Sequence, residues 1–258
     1  MFPLRDENPH PPGFKPKVTY ALIIANVIVF FIEVAYTGQF FDFTNQNAFN
    51  LFYNWGAVPN CVTGATFSTI SFGAEPVRIS CPSTPYISLI TSTFMHGGLM
   101  HLGGNLLFLW IFGDNIEQKF GKVKYLGIYL MWGVVAGLIH IYGDTSSVIP
   151  AVGASGAISG ILGAYLVIFP KARIQTFLML GFFWRMMHIQ ARWFLPFWLV
   201  FQNLLPFFIG GFGVAGGGVA YLAHIGGFVI GLATGYIYKK THSSDFTYGT
   251  RYGYRPDY

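Results

Sequence analysis

Six apolar stretches run through this chain, at roughly 19–36, 98–112, 125–142, 155–169, 194–209 and 219–238. A helix needs about 20 apolar residues to cross a hydrocarbon core of about 30 Å, or fewer where protein shields one end. A water-soluble surface cannot be built around such runs with the charge available. Asp, Glu, Lys and Arg make up 10% of the 258 residues, hydrophobic residues 53%, and the mean hydropathy is +0.50. Soluble, secreted-scaffold and disordered classes are excluded on that composition. Nucleic acid is excluded as a partner, because the net charge of +5 is not gathered into a basic groove. The expectation is an all-α polytopic membrane protein of six spans, the second and fourth of them short, with the lipid bilayer as its surroundings.

The basic residues set the orientation. Arg5, Lys15 and Lys17 precede the first span, and Lys119, Lys122 and Lys124 follow the second. Lys171, Arg173, Arg185 and Arg192 follow the fourth, and Lys239, Lys240, Arg251 and Arg255 follow the sixth. Arg78 alone falls in the intervening loops. Six spans therefore put 14 of the 15 basic residues on one side, with both termini cytoplasmic. Residues 1–18 read as a polar cytoplasmic tail, 19–240 as the membrane domain and 241–258 as a disordered cytoplasmic tail. No cleavable signal peptide is expected. The stretch 174–184 is too short to cross and reads as lying in the cytoplasmic interface. The external loop, about 38–93, carries Phe40, Phe41, Phe52, Trp55, Tyr86 and Ile87 for contact with headgroups. It also holds both cysteines, Cys61 and Cys81, which form a disulfide if that side is oxidising and are otherwise two unpaired thiols.

Polar groups inside spans are costly and tend to mark function. Four stand out: His101 and Asn105 in the second span, Ser155 opening the fourth and His224 in the sixth. Taken singly, each is more often packing glue. Their depth argues otherwise. At 1.5 Å per residue, Ser155 stands about 24 Å above Lys171 and His224 about 22 Å above Lys239. Asn105 and His101 stand about 21 and 27 Å above Lys119, so the four share one layer beneath the outer surface. The helix opened by Gly153-Ala154-Ser155-Gly156 is short enough to begin inside the bilayer, where irregular backbone needs a protein or water-lined surround. Gly156 and Gly160, and Ala223, Gly227 and Gly231, repeat every four residues and allow the fourth and sixth spans to approach closely. Such an arrangement suits a Ser hydroxyl activated by His224, with the Ser155 N–H, the His101 ring and the Asn105 amide as oxyanion donors. No Asp or Glu lies at that depth in those three spans, so a Ser–His pair without a carboxylate is expected.

The pattern His96-x4-His101-x3-Asn105, Gly153-Ala154-Ser155-Gly156 and Ala223-His224-x2-Gly227 resembles the rhomboid family of intramembrane serine proteases. The resemblance implies a six-helix core in which Ser155 is the nucleophile and His224 the base and acid. It implies His101 and Asn105 as oxyanion donors, His96, Gly153, Gly156, Ser159 and Gly227 in support, and no metal or cofactor. Transmembrane proteins, single-pass ones above all, are the substrates it implies; a bacterial plasma membrane is taken as the default location, with the site opening to the extracytoplasmic side. Two positions depart from the family pattern. Ser159 stands where an aromatic usually packs on the catalytic histidine, leaving a hydrogen bond from Ser159 as its replacement, and Ile87-Ser88 stands where bacterial members have Trp-Arg. The rivals are an inactive rhomboid-like binder and a small transporter, for which no two matching halves are evident. A zinc site from His96, His101 and His224 lacks a carboxylate or Cys ligand at that level.

Overall fold

A computed structural model describes residues 1–72, 75–180, 183–210 and 219–242 of the chain. Strand β1 (Phe2–Asp6) precedes α1 (Lys17–Thr37). The long first loop carries α2 (Gln46–Trp55), α3 (Pro59–Val62), a hairpin of β2 (Phe67–Phe72) and β3 (Glu75–Ser80), and α4 (Ser88–Thr91). Helices α5 (Leu99–Phe120) and α6 (Lys122–Gly143) follow, then α7 (Ser155–Ile168). A second hairpin, β4 (Arg173–Leu180) and β5 (Phe183–Gln190), leads into α8 (Ala191–Leu199). That helix continues through a π turn, Val200–Leu204, into α9 (Leu205–Gly210), and α10 (Tyr221–Thr241) closes the described chain. Helices α1, α6 and α10 are long and apolar enough to cross a membrane.

Helix α7 is the hub. Every residue from Gly156 to Tyr165 is buried, with α10, α6, α5 and α8 around it. Glycine makes this crowding feasible. A Cβ on Gly227 would lie 2.1 Å from the Gly156 carbonyl oxygen, and one on Gly231 would lie 2.1 Å from that of Gly160. On the other flank, the Trp132 ring of α6 sits where a Gly160 Cβ would come within 2.5 Å. Fourteen residues give α7 about 21 Å of length, so the helix is shorter than a bilayer core and its N-terminus is sheltered by its neighbours.

Buried acids serve as caps across elements. The Glu117 carboxylate of α5 accepts from the Val18 and Thr19 N–H groups and the Thr19 hydroxyl, satisfying first-turn donors of α1 that no local side chain reaches. Near the other end of α1, the Glu33 carboxylate accepts the His96 N–H at 3.1 and 3.3 Å. In the first loop Cys61 and Cys81 are joined as a disulfide. The loop is tied to the α6–α7 connection by an Ala57–Ala151 bridge and by the Asn60 N–H on the Ser147 carbonyl. Phe41, Trp55, Tyr86 and Ile87 stand exposed on it.

One expectation needs correction. The protein is mostly helical rather than all-α, since it contains a three-stranded sheet ordered β1-β4-β5 and the β2–β3 hairpin. Residues 1–18, expected as a polar cytoplasmic tail, contain β1, which pairs antiparallel with β4. The described part of the stretch 174–184 lies in strands β4 and β5, where Ile174 and Thr176 are buried while Arg173 is exposed, the two-residue period of a strand. In addition, α5 runs eight residues past the expected end of its apolar stretch at 112. Of the expected C-terminal tail, 241–258, Thr241 still belongs to α10 and residues 243–258 lie outside the described residues.

The sheet end gathers the N-terminal segment, the α5–α6 turn, the end of α7 and the end of α10. Tyr165 donates to Asp6 at 2.6 Å, Asn115 donates to the same oxygen at 2.9 Å, and the Tyr238 hydroxyl donates to the Lys119 carbonyl. Burial pushes the Asp6 carboxyl up to about 6, against the lowering effect of the Tyr165 bond. A carboxyl raised in the folded state disfavours folding once it ionises, so its contribution is lost as pH rises from about 4 through about 6. Asp6→Asn keeps one oxygen for both donors and removes the charge. It is expected to stabilise the protein by about 2 kcal/mol at pH 7.5 and by nothing measurable at pH 4. Thermal unfolding in detergent at the two pH values checks this, and an equal difference at both contradicts it.

Candidate active site

Ser155 opens α7, and the two residues before it set its exposure. Gly153 has φ +131°, a conformation L side chains rarely adopt, and its N–H is held by the Ser92 carbonyl at 2.8 Å. The turn leaves Ser155 half-buried while Ala154 and Gly156 on either side are buried. Close packing of α7 on α10 then brings His224 alongside, its Nε2 2.7 Å from the Ser155 Oγ.

The other ring nitrogen is also engaged. His224 Nδ1–H donates to the Asn203 Oδ1 at 2.7 Å. The Asn203 Nδ2 donates to the Trp198 carbonyl at 3.3 Å, which fixes the amide with its oxygen towards the imidazole. With its proton on Nδ1, His224 presents a lone pair at Nε2 to the Ser155 hydroxyl, the arrangement a general base needs. Sequence reasoning missed Asn203. The signal was available: two adjacent amides, Gln202 and Asn203, within an otherwise apolar and aromatic stretch, at the cost such groups carry there.

His101 approaches the Gly153 turn from α5. Its Nδ1 accepts the Gly97 N–H at 3.2 Å, which leaves the proton on Nε2. A Cβ on Gly153 would lie 2.8 Å from that Nε2 and 3.4 Å from the Ser155 Oγ. The space glycine leaves there borders both the hydroxyl and an N–H donor, which is where an oxyanion would sit. Asn105 lies one turn along α5, buried, with its Nδ2 on the His101 carbonyl at 3.1 Å. Gly153→Ala is therefore expected to cut activity by about 100-fold or more while the bundle persists, through lost room and backbone strain. Serine-probe labelling set against thermal stability separates that outcome from simple unfolding.

The supporting residues divide. Gly156 and Gly227 form one of the close α7–α10 contacts. His96 is fully buried, with its N–H on Glu33 and its ring edge-on to His101 at 5.1 Å between centroids. Ser159 does not hold His224; its hydroxyl donates to the Ser155 carbonyl at 2.7 Å, the local bond a helical serine makes most readily. Among the described residues, no group of three or more His, Cys, Asp or Glu is placed to hold a metal ion.

The same segments govern comparison with known proteins. A family model described as the Rhomboid domain matches residues 83–241, which contain every residue of this site. Rhomboid protein 1, mitochondrial, of Saccharomyces cerevisiae is 29% identical over 165 residues, covering 61% of this chain and 43% of its own length. Rhomboid protease GluP of Bacillus subtilis is 29% identical over 154 residues, covering 60% of this chain and 25% of its own. The human presenilin-associated rhomboid-like protein, mitochondrial, is 33% identical over 88 residues, covering 33% of this chain and 23% of its own. The chain thus spans less than half the length of these relatives. With the family model spanning more than half of the chain and three helices apolar enough to cross a bilayer, this integral membrane protein belongs to the rhomboid family.

Proposed function

We propose that the protein is an intramembrane serine endopeptidase that cuts a peptide bond in or next to the transmembrane helix of single-pass membrane proteins. The 2.7 Å contact between the Ser155 Oγ and the His224 Nε2 carries this reading. In the first half-reaction Ser155 attacks the scissile carbonyl and its proton passes to His224 Nε2. The oxyanion lies in the space beside Gly153, with the His101 Nε2–H, the Ser155 N–H and the Asn105 amide as donors. Collapse transfers the proton from His224 to the leaving amine and leaves an acyl-enzyme. Water, deprotonated by the same nitrogen, then releases the acid product and restores Ser155.

The membrane reading extends the same way. We take α5, α7 and the α8–α9 helix as three further spans, giving six, with both termini cytoplasmic on the basic, sheet-bearing side. The start of α7 then lies beneath the outer surface and opens the site to the extracytoplasmic face, where water can reach Ser155. The relatives include mitochondrial proteins as well as one from Bacillus, and we assign this chain to a bacterial plasma membrane.

A fluorophosphonate probe tests the chemistry without knowledge of the substrate. The detergent-solubilised protein is expected to be labelled at Ser155, and Ser155→Ala to be folded and unlabelled. In liposomes the unmodified protein is expected to cut a single-pass substrate with helix-weakening residues near its outer end. Unlabelled protein that cuts no substrate overturns the reading in favour of a non-catalytic binder, and cleavage surviving Ser155→Ala overturns Ser155 as the nucleophile.

A further inference from the structure

We propose that Asn203 is the positioning residue of this site, holding His224 in the tautomer and orientation that let it activate Ser155. This rests on the protease reading above and adds a third member to the Ser–His pair. Three independent observations carry it. Both polar ends of the Asn203 side chain are engaged, Oδ1 by His224 at 2.7 Å and Nδ2 by the Trp198 carbonyl at 3.3 Å, so the acceptor cannot turn away without losing both bonds. The residue is 1% exposed in a mostly apolar helix whose neighbouring amide, Gln202, is exposed, and a buried amide is retained there only at a cost. And the helix is widened at that point. Val200–Leu204 form a π turn followed, after Leu205, by Pro206, whose ring nitrogen has no N–H to donate to the preceding turn. The extra residue in the turn shifts the helix phase, and Asn203 is the residue it aims at His224.

The need for such a residue is also visible. An imidazole held only by its contact with Ser155 is free to rotate or to carry its proton on Nε2, in which state it cannot take the hydroxyl proton. Ser159 gives no help, because its hydroxyl is spent on the Ser155 carbonyl, and the Trp198 ring lies 6.4 Å from His224, tilted rather than stacked. A neutral amide suits the task better than a carboxylate would. It accepts the Nδ1–H without placing a negative charge at that depth and without stabilising the imidazolium in the resting state. The titratable groups acting on His224 are His101 from α5 and His140 from α6. Neither lies on the helix that carries Asn203.

The test uses fluorophosphonate labelling of the full chain in detergent as a function of probe concentration and pH. Asn203→Ala is expected to lower the maximal labelling rate about 100-fold, with the half-saturating probe concentration changed by less than about twofold. Asn203→Asp keeps the acceptor and adds charge. It is expected to restore at least about a tenth of the rate and to move the acid limb of the labelling profile upward by about one pH unit or more, since a carboxylate favours the protonated imidazole. A merely structural role would move neither the rate-to-saturation split nor the acid limb. Nitrogen spectra of histidine-labelled unmodified protein give a variant-free reading, with the His224 proton expected on Nδ1. Labelling of Asn203→Ala at the unmodified rate, an unshifted limb in Asn203→Asp, or the proton on Nε2 each overturns the proposal while leaving the Ser155 reading intact. Failure of the unmodified protein to label at all overturns the protease reading instead.

Discussion

Ser155→Ala, His224→Ala and the double variant are expected to lose peptide hydrolysis by the same factor, on the order of 10⁵ in kcat. The two side chains share one hydrogen bond of 2.7 Å and one proton, so removing either removes the whole proton-transfer step. A serine hydroxyl without its base is a poor nucleophile at neutral pH, and an imidazole without the hydroxyl has only water to activate. The second deletion then has nothing left to take away. Groups acting independently would show multiplied losses, so the double variant is the discriminating measurement. A residual rate common to all three is expected, because the His101 and Ser155 N–H donors survive in each. Kinetics on a reconstituted single-pass substrate read the outcome. A double variant a further hundredfold slower than either single one would contradict the shared step.

Gly227→Val is expected to be nearly as damaging, from a residue that carries no chemistry. Its Cβ would lie 2.1 Å from the Gly156 carbonyl oxygen and 3.2 Å from the Ser159 Cβ, so backbone rather than a flexible side chain must yield. Helices α7 and α10 would have to part, and Ser155 and His224 sit on those two helices beside the point of contact. A displacement of about 1 Å costs about 100-fold in a reaction that depends on alignment. The lost packing costs at least about 3 kcal/mol of stability. Gly137→Ala is the control, since its Cβ would meet only the Leu89 side chain at 3.6 Å, an ordinary contact. It should label and melt like the unmodified protein. Full labelling of Gly227→Val would mean that the α7–α10 contact does not set the Ser–His geometry.

How much of this was legible beforehand differs from residue to residue. Ser155 and His224 were readable because helix rise converts position into depth, and two spans with four-residue glycine repeats have few ways to pack. The pairing of Asn203 with His224 was not, because a π turn breaks the 3.6-residue phase on which spacing arguments depend. The sheet escaped for another reason. Strand β1 finds its partner more than 160 residues away, and neither strand alone carries a signal of the pairing. The extension of α5 past 112 depends on distant partners too. Asp114 and Glu117 would normally mark the end of an apolar helix, but His10 takes the first and the start of α1 takes the second.

The order of apolar segments and the residues in the polar layer were determined by the sequence alone, since hydrophobicity and depth are local properties that add along a helix. Only the tertiary structure decided which nitrogen of His224 meets Ser155, what holds the other, and how the N-terminal strand closes the far end. Those are directional contacts between distant parts of the chain, and direction is fixed only when close packing leaves each side chain a single place to go.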